Sequence, residues 1–285
     1  MKACVFCGEV TANRVFANEQ LEVLQCPGCG LVYQADYAAA LAKMNAKYHS
    51  IEEYYEHRRD EHLRNDSAKD ITFDSERLRR SIDIHNYLLE MVPPGGSVLD
   101  VGSGVGEFLY SLGQNGLQVA GVEPDEHIAS YSRDRLGLPV ITGMYHEHLY
   151  QPESFDAITF IQVLEHVENP IATLRIAHKH LRPDGLIVVD VPSYNNPRIL
   201  TYRLTRQSRL VQTDFIPPHN YYYTRGSITR IAVRAGFQPL RVLTGRYSIK
   251  YSGKNKLLRN VLLPTVDRVA SRFGIGGITL YARKA

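Results

Sequence analysis

The chain has 285 residues, 44% apolar and 22% charged, with a net charge of +3. This composition excludes a disordered or collagen-like polypeptide and leaves room for one large α/β domain with a small appendage. No run approaches the ~18 uninterrupted apolar residues needed to cross a bilayer, and residues 1–10 (MKACVFCGEV) carry no apolar signal core, so the expected location is the cytoplasm.

All four cysteines fall near the N-terminus, as Cys4-x2-Cys7 and Cys26-x2-Cys29. Each pair runs into a glycine (Cys-Val-Phe-Cys-Gly and Cys-Pro-Gly-Cys-Gly) that lets the backbone turn and face its amides to the thiolates. Paired knuckles at this separation supply the four tetrahedral ligands of a structural zinc site. Two disulfides are the rival pairing, which a reducing cytosol disfavours. A closed Cys4 site keeps no open coordination position, so it serves structure rather than catalysis. The expectation is a zinc ribbon over residues 1–34, with short strands at 14–16 and 21–25.

Residues 35–74 change to Ala, Tyr, His, Arg and Glu and read as a helical bridge or lid. Tyr48, Tyr54 and Tyr55 there either close over a cleft or pack on the main domain, residues 75–285. Asp74 or Ser75 can cap a helix whose Leu78, Ile82, His85, Leu88 and Leu89 recur at helical spacing, and Pro93-Pro94-Gly95-Gly96 stops it. Strands are then expected at 97–101, 118–122, 139–142, 157–161, 186–191, 238–243 and 277–283, with a helix through Phe108, Leu109 and Leu112. Alternating strands and helices predict an α/β fold with a parallel, doubly wound, Rossmann-like sheet of seven strands, binding its ligand at the carboxyl ends. The last two strands suit an antiparallel hairpin at one edge.

The segment Val98-Leu99-Asp100-Val101-Gly102-Ser103-Gly104-Val105-Gly106-Glu107-Phe108 ends a strand in an acid and enters a helix through alternating glycines. The dinucleotide fingerprint fails, because Glu107 stands where its third glycine belongs. An acid just before the loop suits a ligand with a positive amino group rather than a pyrophosphate. Glu123 ends the next strand, where a carboxylate can accept both hydroxyls of a ribose. Further on come Phe155-Asp156-Ala157-Ile158, then Leu164-Glu165-His166-Val167, then Leu181-Arg182-Pro183-Asp184-Gly185.

In this order and spacing the segments resemble the class I S-adenosylmethionine (SAM)-dependent methyltransferases, and among them the ubiquinone-biosynthesis O-methyltransferase-like branch. The resemblance covers roughly residues 75–245 and departs at Asp184, where the family commonly has glycine. It implies SAM as cofactor. Asp100, Gly102 and Gly104 would line its methionine end, with Ser103 and Gly106 in the same loop. Glu123 would hold the ribose, Met144 flank the adenine, and Gln162 sit beside the methyl donor. Some members are thought to bind a divalent metal through Glu-x-x-Glu-His at the end of the fourth strand. Gln162 replaces the first of these acids here, so no catalytic metal is expected.

A hydroxyl acceptor needs a base, and His166 and His219 are placed for it, with Tyr222 in reserve. Each histidine could equally make a structural hydrogen bond. Residues 198–285 carry 17 Lys/Arg against two acids, which fits either an anionic partner or a solvated basic face. The expected acceptor is a small anionic molecule, such as a nucleotide-linked or lipid-linked sugar, methylated on oxygen or carbon. The alternatives are RNA presented to the ribbon and a non-enzymatic interaction protein. Against RNA, residues 1–34 offer only Lys2 and Arg14 against Glu9, Glu19 and Glu22. Residues 247–274 mix apolar and basic positions at helical spacing, which suits peripheral membrane contact or ordinary packing.

Overall fold

The computed structural model describes residues 4–40, 42, 76–195, 199, 202, 205, 215, 216, 218–245 and 277–285. Most of the bridge, Tyr48, Tyr54 and Tyr55 included, lies outside these residues, as does the 247–274 segment. Among the described residues no helix is long and apolar enough to cross a membrane.

The N-terminal strands β1 (Asn13–Ala17), β2 (Glu22–Gln25) and β3 (Val32–Gln34) form an antiparallel meander. Helix α1 (Glu76–Met91) ends at the expected Pro-Gly stop, and β4 (Ser97–Val101) follows, buried at every position as a central parallel strand should be. Then come α2 (Glu107–Gln114), β5 (Gln118–Glu123), α3 (Glu126–Leu136), β6 (Val140–Thr142), β7 (Phe155–Ile161), α4 (Pro170–His180) and β8 (Leu181–Val191). The described chain closes with β9 (Tyr221–Tyr222), α5 (Arg225–Arg234), β10 (Phe237–Gly245) and β11 (Gly277–Lys284). Local chemistry starts these helices as their sequence allows. Asp125 and Asn169 accept from the third residue onward in α3 and α4, and Thr224 and Ser227 form a reciprocal capping box on α5.

The main sheet has the order β10-β11-β8-β7-β4-β5-β6, parallel from β8 through β6. All seven expected strands are present. The last two pair antiparallel, as expected of an edge hairpin, but β11 also pairs antiparallel with β8, so only β10 is the edge. One face of the sheet packs Val101, Phe160 and Val189 against Leu174, Ile228 and Ile231. The other packs Val98 and Val188 against Leu88, Phe108 and Leu112.

The fifth strand begins at Leu181 rather than 186, because it carries an irregular start at Arg182–Gly185. Asp184 there has φ 60°, a left-handed conformation that aspartate tolerates better than most side chains. That tolerance explains how it stands where the family pattern has glycine.

The ribbon differs more from expectation. It has a third strand, β3, whose Val32 and Tyr33 pair antiparallel with Tyr222 and Tyr221 of β9, nearly two hundred residues downstream. The N-terminal sheet is therefore completed by the main domain. Its apolar filling is shared in the same way, with Phe16, Leu21, Val23 and Val32 packed against Tyr194, Phe215 and Tyr222. Arg230 and Arg234 of α5 add a hydrogen bond to the Cys29 carbonyl and a cation–π contact 4.6 Å above the Phe6 ring.

Candidate active site

Asp100 and Glu123 lie at the carboxyl ends of adjacent parallel strands, and both are buried. Asp100 Oδ1 accepts from the Thr159 hydroxyl at 2.6 Å. Glu123 Oε2 accepts the Gly104 N–H at 2.9 Å and Oε1 the Asp125 N–H at 3.1 Å. The loop between them needs its glycines. Gly102 has φ 72°, and a Cβ there would sit 2.4 Å from Val163 Cγ2; Gly106 has φ 86° at the start of α2.

Two features, one in this loop and one after β6, fit a ligand. The Ser103 hydroxyl is buried without a hydrogen-bond partner, a state native proteins avoid unless something else completes it. Met144, just after β6, is 71% exposed, and its neighbour Gly143 donates its N–H to the Glu123 carbonyl at 3.0 Å. Paired carboxylates, an orphaned hydroxyl and an apolar edge fit a ligand with ammonium, ribose and aromatic parts, which is the chemistry of SAM. Gln162 is at the end of β7 as expected, with φ 58°. Its side-chain amide donates to Asp190 Oδ2 at 2.8 Å. A glutamate at this position would set two carboxylates together, which accounts for the amide in place of the acid.

The end of β7 also brings together residues far apart in sequence. Asn220 and Tyr221 donate their backbone N–H groups to the Glu165 carbonyl, at 2.8 and 3.2 Å, and Asn220 Nδ2 reaches the Val167 carbonyl. The same joint places His219 beside His166, with ring centroids 4.9 Å apart. His166 Nδ1 lies 2.8 Å from the Pro218 carbonyl. A carbonyl only accepts, so Nδ1 carries the proton and the neutral ring keeps its lone pair on Nε2. That Nε2 is 3.8 Å from Glu165 Oε1.

Glu165 is 1% exposed, and neither carboxyl oxygen has a hydrogen-bond partner. Burial pushes its pKa up to about 8, with the Asp190 charge adding to the effect. One ligand atom from each of Glu165, His166 and His219 lies within 4.8 Å of the others, a donor set that could hold a cation. Its third member is supplied by His219 from outside the strand-four motif.

Tyr222 borders this cluster, its ring meeting that of His219 edge-on at 6.1 Å between centroids. Its ring is buried among Phe215, Phe16 and Val32, and its hydroxyl donates to the Ile216 carbonyl at 3.4 Å. It is therefore also part of the shared apolar core.

The four cysteines converge, with Cys4 Sγ 3.6 Å from Cys29 Sγ and Cys7 Sγ 3.4 Å from Cys26 Sγ. Tetrahedral thiolates on zinc would be about 3.8 Å apart, from the usual bond length of ~2.3 Å. The two knuckles share one backbone form: Gly8 and Gly30, both at positive φ, donate to the carbonyls of Cys4 and Cys26 at 2.8 Å. Burial pushes the Cys4 and Cys29 thiols up, while hydrogen bonds from the Cys29 backbone and the neighbouring thiols hold Cys26 down against its own burial. The donor set fits zinc.

Glu165 gives a testable pH dependence. Its folded-state pKa stands above the value of an unfolded glutamate, so the stability tied to its proton is fully present below the unfolded value near ~4.5. It is lost as pH rises through about 8. Glu165→Gln keeps the neutral shape and should flatten this trend. Between pH 5 and 8.5, scanning calorimetry should show the wild-type Tm falling by roughly 5 °C more than that of the variant. Parallel curves would mean that the carboxyl is ionised and compensated in the fold.

Residues 73–242 match the family described as "Methyltransferase domain". Among curated proteins, the chain is 28% identical over 131 residues to a ubiquinone biosynthesis O-methyltransferase of Neisseria meningitidis, covering 43% of this chain and 54% of that one. It is 25% identical over 177 residues to the protein of that name from Aeromonas salmonicida, covering 59% and 73%. The alignment thus spans little more than half the length of the first of these relatives. A SAM-dependent methyltransferase from Archaeoglobus fulgidus shares the fold at TM-score 0.53 and 14% identity, over 74% of this chain and 96% of that one. The [4+2]-cyclase SpnF shares it at 0.51 and 16%, over 75% and 85%. With the family match spanning more than half of its residues, the chain belongs to the methyltransferase-domain family.

Proposed function

We propose that this chain transfers a methyl group from SAM to a hydroxyl oxygen of a small acceptor, with His166 and His219 serving proton removal. SAM supplies an activated sulfonium methyl group when bound. What remains for the protein is to orient the acceptor in line, exclude water and take the hydroxyl proton. The observation that carries this reading is the lock on His166: its Nδ1 is held by the Pro218 carbonyl, leaving Nε2 as a proton acceptor in the neutral ring. Glu165 and His219 lie beside it. A carbon acceptor would need no such lock unless its proton were equally acidic.

The relatives named as O-methyltransferases favour oxygen over carbon. They also point to a quinol precursor as an acceptor to set beside nucleotide-linked and lipid-linked sugars. RNA fits less well, because Arg14 is paired with Glu22 and the ribbon's outer strand is joined to β9. Tritium transfer from SAM, screened against quinol precursors, nucleotide sugars and total RNA, tests the acceptor class directly.

The cysteine cluster is read as a structural zinc site. Elemental analysis of the reduced protein should return about one zinc per chain, lost in Cys26→Ser. A preparation free of zinc yet correctly folded would overturn the ribbon. A second tightly held metal would overturn the proton-acceptor role of His166 and His219. For the cofactor side, Glu123→Ala should weaken SAM binding by roughly 1.5–3 kcal/mol by calorimetry, the loss of charge-assisted hydrogen bonds. Unchanged affinity would remove Glu123 from the ribose site.

With an acceptor in hand, His166→Ala or His219→Ala should lose about 10²–10⁴ in kcat while SAM affinity holds. Near-normal turnover in both would exclude histidine as the base.

A further inference from the structure

We propose that Gln34, at the end of the ribbon strand β3, is a positioning residue for His219, which makes the cysteine-bearing sheet a structural part of the acceptor site. This deepens the reading above and rests on it for the role of His219.

Gln34 is buried at 4% exposure. Its backbone N–H donates to the Asn220 carbonyl at 3.0 Å, extending the β3–β9 pairing by one step toward the histidine. Its side-chain amide then reaches back along the same segment. Nε2 donates to the His219 carbonyl at 2.7 Å and to the Ile216 carbonyl at 3.1 Å. The His219 N–H itself donates to the Ile216 carbonyl at 3.1 Å, closing the turn. One amide group thus bridges the two ends of the turn that carries His219, and the Asn220 contact fixes the residue after it.

The other side of the cluster is held in the same manner. Tyr37, just past β3, donates its hydroxyl to the His166 carbonyl at 2.9 Å. Both histidines are therefore fixed at their backbones by donors from the N-terminal 37 residues. A purely architectural glutamine would serve its own sheet, as Gln25 does by donating to the Gly30 carbonyl at 3.5 Å. Gln34 instead donates to the Ile216 and His219 carbonyls of the proposed acceptor wall. Removing its donors takes the 2.7 Å hydrogen bond from the His219 carbonyl and one of several from the Ile216 carbonyl, so the turn has reason to move.

The test uses the full chain with 13C-labelled histidine, the His219 and His166 ring signals being assigned from the corresponding alanine variants. Gln34→Met keeps length and removes the donors. It should shift or broaden the His219 ring signal, leave those of His178 and His180 in place, and hold SAM affinity within about twofold. Gln25→Met, which loses a ribbon hydrogen bond away from the cluster, should leave His219 unmoved. With an identified acceptor, Gln34→Met should lower kcat about 10-fold or more, since small misplacements of a reacting group cost up to ~10². It should add nothing further in a His219→Ala background.

An unmoved His219 signal in Gln34→Met overturns the proposal. So does equal perturbation of all four histidines, which would mean general loosening. If Gln34→Met does not fold, Gln34→Asn, too short to reach both carbonyls, is read by the same signals. The ring signals judge Gln34 whether or not His219 is the base. A shifted signal with normal turnover in His219→Ala would sink the function reading alone.

Discussion

The pairing of Val32 and Tyr33 with Tyr222 and Tyr221 is the contact on which the Glu165, His166 and His219 cluster depends. It joins a strand from the N-terminal meander to a two-residue strand that would have no partner of its own in the main sheet. So short a strand is not stable alone. Here it is held on one side by β3 and anchored by the backbone N–H groups of Asn220 and Tyr221 on the Glu165 carbonyl. The shared core of Phe16, Val23, Val32, Phe215 and Tyr222 supplies the apolar burial that makes the joint persist, with each large side chain contributing about 1.5–3 kcal/mol. The cysteine knuckles flank the strands of the same small sheet, Cys26 directly after β2.

The cofactor side depends on a different constraint, the parallel register of β4 and β5. Asp100 and Glu123 end neighbouring strands, and the glycine loop between them can take its left-handed conformations only without side chains. These features follow from local chain geometry and stand close together in sequence. The Glu165, His166 and His219 cluster is assembled from the end of β7 and the residues before β9, and its electrostatics come from burial. A carboxyl group with no hydrogen-bond partner at 1% exposure holds its proton. The imidazole beside it is fixed in one tautomer by a backbone carbonyl.

The fold leaves the reaction open. SpnF, named as a [4+2]-cyclase, has the same architecture as the methyltransferase from Archaeoglobus fulgidus, so a likeness at this level speaks for the scaffold only. What narrows the chemistry is the cluster at Glu165, His166 and His219. Gln162 also matters, because its amide binds Asp190 and leaves the strand end less acidic than a glutamate would.

The sequence by itself determined the order of elements, the seven main strands, the glycine loop with its flanking acids and the two cysteine knuckles. Each is written in short-range terms: buried strands as apolar runs, the loop as alternating glycines, the knuckles as paired thiols two residues apart. The Asp184 turn was also visible, as a departure from the family pattern that its left-handed φ later explained. Tertiary structure alone decided that β3 exists as a strand paired with Tyr221 and Tyr222, that β11 lies between β10 and β8, and that Tyr222 faces the ribbon core. It also decided that Glu165 is buried without a hydrogen-bond partner and that Gln34 spans the His219 turn. These relations join residues up to nearly two hundred positions apart. Local propensity and spacing carry no record of which distant segment will satisfy a strand edge or a buried amide, because that choice is made by packing once the sheet has formed.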